Sequence, residues 1–195
     1  MLSPKVICIT GGMGSGKSTF CAMLEAKGYL VYNSDNRAKI LMNSDVKLVD
    51  AITNLMGKPA YEGGSLNRSY IADRIFNNQI LKHKFESLVH PVVRADFERW
   101  AMLCGKEVVF KESALVLEAK DKTCDFVVSI VADEDIRINR VKKRNPELKI
   151  DHIKERLANQ HNDDYRKKHS HLVVVNNGSL SDLEVKVDYL LSKVI

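Results

Sequence analysis

The sequence has no long apolar run, and this excludes a membrane-spanning protein. No stretch approaches the ~20 consecutive apolar residues that a transmembrane helix needs. The first apolar run, at residues 5–10, is shorter than the core of a secretory signal peptide. Internal repeats and low-complexity segments are also absent. We therefore expect a cytoplasmic protein that has no membrane partner.

Cysteine is scarce, and its spacing gives no sign of a metal site. The four cysteines, Cys8, Cys21, Cys104 and Cys124, form no C-x-x-C pair and fall in apolar runs. The histidines also lack the spacing of zinc ligands. These patterns predict buried free thiols and no metal cluster.

The composition is ordinary, but the charged residues are unevenly distributed along the sequence. The chain has 195 residues, of which 45% are hydrophobic, and a net charge of +5. Residues 137–168 hold eleven basic and five acidic residues, which favours a polyanionic partner. A solvated helix face is the alternative. Because aromatic interleaving and a recognition-helix motif are missing, a phosphate-rich small molecule is favoured over nucleic acid.

Residues 11–18 carry the most informative motif, Gly-Gly-Met-Gly-Ser-Gly-Lys-Ser. Every fixed position of the P-loop pattern Gly-x-x-x-x-Gly-Lys-Ser is filled. The glycines let successive backbone N–H groups point at a phosphate, while Lys17 supplies a charge for the β- and γ-phosphates of ATP. The Ser18 hydroxyl is predicted to hold Mg²⁺. The alternative is a glycine-rich turn that binds nothing. The predicted nucleotide-binding residues are Gly11, Gly12, Met13, Gly14, Ser15, Gly16, Lys17, Ser18 and Thr19.

The rest of the pattern predicts an α/β fold with a mostly parallel sheet. Apolar, β-branched runs typical of strands alternate with amphipathic helical segments. One such segment, 151–168, is strongly charged and predicts a helix, whereas the pair His90-Pro91 predicts a boundary or kink. The predicted strands lie at 5–10, 29–33, 107–111, 126–131 and 172–175.

The helical block from about 36 to 104 interrupts this alternation, which makes it the predicted substrate subdomain. Together with the P-loop, the pattern predicts a three-layer P-loop sandwich in one domain of 195 residues. The predicted core comprises about 1–35, 105–144 and 170–195, with a helical lid at about 145–169.

A carboxylate and three arginines complete the predicted chemistry. Asp35 follows the second strand, so it should face the same crevice as the P-loop, because ligands bind at the carboxyl ends of parallel strands. There it would accept a proton from an attacking hydroxyl or hold Mg²⁺ through water; a helix N-cap is the alternative. Arg140, Arg144 and Arg156 suit a cationic lid that stabilises a moving phosphoryl group. Surface salt bridges are the alternative for each arginine.

Two missing motifs narrow the class of nucleotide-binding protein. A switch GTPase would need a base-reading Asn-Lys-x-Asp, which the chain lacks. A motor ATPase would show four hydrophobic residues followed by Asp, and the nearest candidate breaks this pattern at Lys111. These absences favour a small P-loop kinase.

At this point the sequence resembles the dephospho-coenzyme A kinase family over nearly its whole length. After the P-loop, the resemblance is carried by Asp35 at the end of the second strand and by the pair His90-Pro91. It departs from the family pattern at Asn33, Ala114 and the Ser170-His171 pair. The other matching segments are Gly64-Ser65-Leu66-Asn67-Arg68, Arg74-Ile75-Phe76, Leu115-Val116-Leu117-Glu118, the lid residues Arg140, Arg144, Arg156 and Gln160, and Asn176-Asn177-Gly178.

The resemblance implies transfer of the ATP γ-phosphoryl group to the ribose 3′-hydroxyl of dephospho-CoA, which gives CoA and ADP. It implies catalytic roles for Asp35, Lys17 and Arg140, with ATP and Mg²⁺ as cofactors and Ser18 as the metal ligand. The expected partner is the small-molecule substrate, without nucleic acid, and the protein is expected to be a monomer or a small homo-oligomer. Implied nucleotide contacts are Arg144 and Asn176, and implied acceptor contacts are Asp35, Arg68, His90 and Glu118. Structural roles are the alternatives for two of them: a salt bridge for Arg68 and a helix boundary for His90.

Three alternatives stay open from the sequence. Another nucleoside or nucleotide kinase would phosphorylate a different acceptor. A non-enzymatic ATP-dependent regulatory module would show slow hydrolysis that no acceptor stimulates. A nucleic-acid-binding protein would use the basic stretch and show salt-sensitive affinity.

Overall fold

The computed structural model describes residues 3–76 and 78–195 and divides the chain into two compact units. One unit comprises Met1–Asn33 and Lys106–Ile195, and the other comprises Ser34–Gly105. Each unit has its own helices, and the first also has a five-stranded sheet while the second has a two-stranded hairpin.

The first unit is built on a five-stranded parallel sheet flanked by helices, in the order β2-β5-β1-β6-β7. This arrangement confirms the predicted α/β fold class. Its strands are β1 (Lys5–Gly11), β2 (Val31–Asn33), β5 (Val108–Glu112), β6 (Phe126–Val131) and β7 (Leu172–Val175), and its helices are α1 (Lys17–Ala26), α6 (Glu134–Arg144), α7 (Ile150–Ala158), α8 (Asp163–Lys168) and α9 (Leu180–Val194).

The apolar core of this unit lies where α1 and α9 pack against the sheet. Ile7 and Ile9 of β1 point to this side and are fully buried with Phe20 of α1 and Val187 of α9. Burying these aliphatic and aromatic side chains is the main favourable contribution to folding. The same packing determines the direction in which the chain leaves β1 and enters the P-loop.

Cys8 and Cys124 form a disulfide bond, so the prediction of four free thiols was wrong for this pair. Cys8 lies in the middle of β1, and Cys124 comes just before β6, the strand that pairs with β1. The segment before β6 brings the Cα atom of Cys124 to 5.6 Å from that of Cys8. A separation of 116 residues hides this proximity in the sequence. Cys21 and Cys104 are free thiols.

A buried ion pair lies near the same strands. Lys111 of β5 is the register partner of Cys8, and its Nζ lies 2.7 Å from an Asp121 carboxylate oxygen. Burial raises the pKa of Asp121, but hydrogen bonds from Lys111 and Thr123 outweigh this effect and hold the pKa below its usual value. The carboxylate is therefore charged and stabilises the buried ammonium.

The second unit is mostly helical, and α2 is tied to α5 within it. Arg37 donates from Nε and Nη2 to the two carboxylate oxygens of Asp96, at 2.8 and 2.7 Å. The elements of this unit are α2 (Ser34–Ser44), α3 (Val46–Met56), a 3-10 turn (Lys58–Ala60), a hairpin of β3 (Tyr61–Glu62) and β4 (Ser65–Leu66), α4 (Arg68–Phe76) and α5 (Gln79–Leu103).

Two local expectations differ from the structure. Of the two outcomes predicted for His90-Pro91, the helix boundary is wrong, because α5 runs on through Pro91, and the kink stays a prediction. Burial of Val89, Val93 and Phe97 along one face outweighs the missing proline N–H. The predicted helix at 151–168 is two helices, α7 and α8, and the second is capped by the Asn162 side chain. Within residues 3–76 and 78–195, every helix is too short or too polar to cross a membrane.

Candidate nucleotide-binding site

The P-loop connects the end of β1 to the first residue of α1. Gly16 has a φ of 98°, a left-handed conformation that costs glycine little, and it forms the N-cap of the helix. A β-carbon on Gly16 would also fall 2.2 Å from the Asn176 side-chain nitrogen. The first turn of α1 holds no acidic residue, so its N–H groups and helix dipole favour an anion there.

Lys17 lies in the first turn of α1, and its side chain folds back over the loop. Its Nζ donates to the carbonyl oxygens of Gly11 at 2.8 Å and Gly12 at 3.4 Å. The ammonium is therefore held near the loop by backbone oxygens. Ser18, the next residue, has an exposed side chain in the same turn, which suits a hydroxyl ligand of Mg²⁺.

Arg140 and Asn176 meet at the C-terminal half of the P-loop. The Asn176 amide nitrogen donates to the Ser15 carbonyl oxygen at 2.8 Å. Arg140 donates from Nη1 to the Asn176 carbonyl oxygen at 3.0 Å and to the Ser15 carbonyl oxygen at 3.5 Å. Arg140 and Asn176 were both predicted as site residues, and the structure places both at this loop. Each is more than a hundred residues away from the loop in the sequence. Arg144, one turn further along α6, is exposed at the end of the helix.

Arg137 was counted in the basic stretch but was not predicted as a site residue. It is 8% exposed, and its Nε donates to the Met13 carbonyl oxygen at 2.9 Å. Burial lowers the pKa of Arg137, and Asp163, whose carboxylate is 3.8 Å from Nη1, opposes this effect. Gln160, which follows α7, accepts a hydrogen bond from the Met13 N–H at 2.8 Å. The P-loop is therefore bound from α6 and from the predicted lid.

Glu118 forms an ion pair with a second arginine that we did not predict as a site residue. Its Oε1 lies 2.9 Å from Nη2 of Arg166, which belongs to α8 and is fully buried. Glu118 Oε2 and Arg166 Nε and Nη1 are buried without a hydrogen-bond partner among the described residues. One oxygen of the predicted acceptor-contacting carboxylate is thus used to hold α8.

Glu112 is a further carboxylate at the carboxyl end of the sheet. It is the last residue of β5 and the register partner of Ile9, two residues before the P-loop begins. Its Oε2 accepts a hydrogen bond from the Asn33 side-chain amide at 2.5 Å. Lys111 separates Glu112 from the apolar run of β5, and the sequence did not predict Glu112 as a site residue.

Asp35, Arg68 and His90 all belong to the second unit. Asp35 is exposed in the first turn of α2, so it lies inside the helix rather than at the N-cap, and it comes two residues after the end of β2 at Asn33. Arg68 begins α4, and His90 lies in the middle of α5; both side chains are exposed. In the described residues, no cluster of three or more His, Cys, Asp or Glu side chains is suited to a metal ion.

Known proteins and a known protein family resemble this chain over most of its length. The sequence matches the CoaE dephospho-CoA kinase family over residues 5–182. A dephospho-CoA kinase of Salinibacter ruber is 34% identical over 183 residues, which cover 91% of this chain and 92% of the relative.

Solved structures resemble the whole chain. The protein TT1252 from Thermus thermophilus is 28% identical, with a TM-score of 0.88 over all of both chains. Dephospho-CoA kinase from Campylobacter jejuni has a TM-score of 0.64 at 19% identity, over 98% of each chain, and this similarity concerns the fold. Because the family match spans most of the sequence, the chain belongs to the dephospho-CoA kinase family.

Proposed function

We propose that this protein transfers the γ-phosphoryl group of ATP to the ribose 3′-hydroxyl of dephospho-CoA, producing CoA and ADP. The observation that carries this proposal is the family match over residues 5–182, which includes the P-loop and the Arg140–Asn176 contact at that loop. Phosphoryl transfer needs positioning and charge stabilisation more than covalent catalysis, and both are provided by backbone N–H groups, lysine and arginine.

In the proposed reaction, the P-loop and Lys17 bind the β- and γ-phosphates of ATP. The ribose oxygen forms a bond to the γ-phosphorus while the bond to the β-phosphate oxygen breaks, and ADP leaves. Arg140 stabilises the negative charge of the moving group, because its guanidinium lies at the C-terminal half of the loop. Asp35 accepts the proton of the attacking hydroxyl as a general base.

The remaining predicted residues have supporting roles in this proposal. Arg144 and Asn176 act at the nucleotide, whereas Arg68, His90 and Glu118 act at the acceptor. Ser18 would hold Mg²⁺, which neutralises phosphate charge when bound. The Ser18 side chain fits because it is exposed in the first turn of α1, beside Lys17.

An acceptor panel tests this proposal. The purified protein is incubated with ATP, Mg²⁺ and either dephospho-CoA, AMP or dTMP, and ADP and the phosphorylated product are measured by chromatography and mass spectrometry. We expect product with dephospho-CoA and little with the two nucleotides. Preferred phosphorylation of AMP or dTMP would assign another nucleotide kinase. ATP hydrolysis that no acceptor stimulates would indicate a regulatory module.

A further inference from the structure

Arg137 packs against three successive residues of the P-loop, and its contacts bear on how that loop presents its N–H groups. The Arg137 Nε donates to the Met13 carbonyl oxygen. Its Nη2 occupies the space beside Gly12, where an added β-carbon would lie only 2.2 Å away. Its own carbonyl oxygen would be 2.6 Å from a β-carbon on Gly14. One residue of α6 therefore fits the shape of the loop at all three positions.

The hydrogen bond to Met13 determines the direction of a particular N–H group. The Met13 carbonyl belongs to the same peptide group as the Gly14 N–H. A trans peptide points its C=O and N–H in opposite directions, and no cis peptide bond occurs among the described residues. By holding the Met13 oxygen, Arg137 turns the Gly14 N–H away from itself. The preceding peptide is held separately, because Gln160 accepts from the Met13 N–H.

We propose that Arg137 is a positioning residue for phosphoryl transfer, which orients the Met13–Gly14 peptide so that its N–H faces the phosphates of ATP. This inference rests on the proposed function of the loop as a triphosphate site. It differs from the role proposed for Arg140, because Arg137 acts through a backbone carbonyl rather than on the phosphate. The atom that matters is a hydrogen-bond donor at the Nε position, and the positive charge is secondary.

Three substitutions separate these two roles, because their side chains place different atoms at the Nε position. Arg137→Gln keeps an N–H donor there and removes the charge. Arg137→Lys keeps the charge but places a methylene at that position, and Arg137→Met keeps neither. Lys143→Gln is the matched control, since Lys143 is exposed in the same helix and loses the same charge.

The primary measurement is the dissociation constant of ATP, determined by calorimetry without an acceptor, with kcat and KM for ATP measured separately. We expect Arg137→Gln to bind ATP within ~3-fold of the parent, and Arg137→Lys and Arg137→Met to bind ~10-fold more weakly, the effect of one lost hydrogen bond. Tighter ATP binding by Arg137→Lys than by Arg137→Gln would overturn the proposal. It would indicate that the positive charge of residue 137 acts directly on the phosphates. Unchanged ATP binding in all three variants would show that Arg137 only packs against the loop and does not position it.

A double substitution provides a second test that does not depend on any single variant. Gly12→Ala must displace the guanidinium, because the new methyl group would overlap Nη2. We expect this substitution to weaken ATP binding ~10-fold in the parent and at most ~3-fold in the Arg137→Gln background, where Nη2 is absent. Equal losses in both backgrounds would contradict the coupling. Because ATP binding is measured without acceptor, a different acceptor in the panel above would leave this test intact.

Discussion

Asn176 donates a buried hydrogen bond to the carbonyl oxygen of Ser15, 161 residues away in the sequence. The contact joins the end of β7 to the P-loop. The side-chain amide nitrogen of Asn176 occupies the space that a side chain on Gly16 would need. We therefore expect Asn176 to affect both the shape of the loop and the stability of the protein.

Asn176→Ala should weaken ATP binding and lower stability. The substitution leaves the Ser15 carbonyl without this buried donor, which costs about 1–3 kcal/mol. We expect a lower midpoint of urea unfolding and a higher KM for ATP. Asn139→Ala, an exposed position on α6, is the control. Equal KM values for the two variants would show that Asn176 does not shape the loop.

Lys17→Ala should impair both nucleotide affinity and turnover. Lys17 donates to two P-loop carbonyl oxygens, so its ammonium lies against the loop that is proposed to bind the phosphates. Removing it takes away a charge that interacts with the substrate and with the transition state. Calorimetric titration with ATP and steady-state kinetics measure the two effects. An unchanged dissociation constant and unchanged kcat would contradict the assignment of the motif.

Asp35→Asn should reduce turnover by roughly 10²-fold or more while ATP binding stays close to that of the parent. The amide keeps the shape of the side chain but cannot take the proton of the attacking hydroxyl. Single-turnover rates with dephospho-CoA and ATP titrations of the same preparation provide the comparison. Near-normal turnover would remove Asp35 from the proposed mechanism.

The Cys8–Cys124 disulfide should be detectable by counting thiols. Protein that is unfolded without reductant should expose two reactive thiols, from Cys21 and Cys104, and four after reduction. Replacing both bonded cysteines by alanine should lower the free energy of unfolding by about 2–4 kcal/mol, because the bond restricts a long loop in the unfolded chain. Four thiols before reduction would contradict the bond.

Asp121→Asn should destabilise the protein by about 3 kcal/mol near neutral pH, because it removes the carboxylate that forms the buried ion pair with Lys111. The folded-state pKa of Asp121 is depressed, so its contribution is complete above the unfolded value of about 4 and is lost as the pH falls through the folded value. The difference in unfolding free energy between parent and variant should therefore shrink below about pH 4. A difference independent of pH, or one equal to that of the exposed control Asp135→Asn, would contradict this account.

Contiguous patterns made most of the secondary structure predictable. β6, β7 and α9 have the predicted boundaries, since each is a short apolar run or a strongly periodic segment. The break between α7 and α8 was missed because charged residues flank it on both sides. The helix boundary predicted at His90-Pro91 was wrong because the buried face of α5 stabilises a helix that local propensity disfavours.

The candidate site was predictable where its residues are adjacent in the chain. Residues 11–18 give the loop, its lysine and its hydroxyl from spacing alone. Asn176 was found through a family resemblance and Arg140 through its place in the predicted cationic lid. Arg137 contacts the loop at 2.9 Å, yet it carried no distinguishing signal within a basic stretch. In the sequence, Arg137 looks like the ten other basic residues of the stretch. Only the packing of α6 in the folded protein shows that its side chain is buried.

The sequence by itself determined the α/β class, the phosphate-binding loop and the family, because each depends on the order and spacing of nearby residues. Only the tertiary structure decided that Cys8 bonds Cys124, that Arg137 holds Met13 and that Arg166 pairs with Glu118. Parallel strands need long crossover connections, so residues that touch in this sheet and its helices are far apart in the chain. These contacts arise from the packing of the folded chain, and no local pattern of residues predicts them.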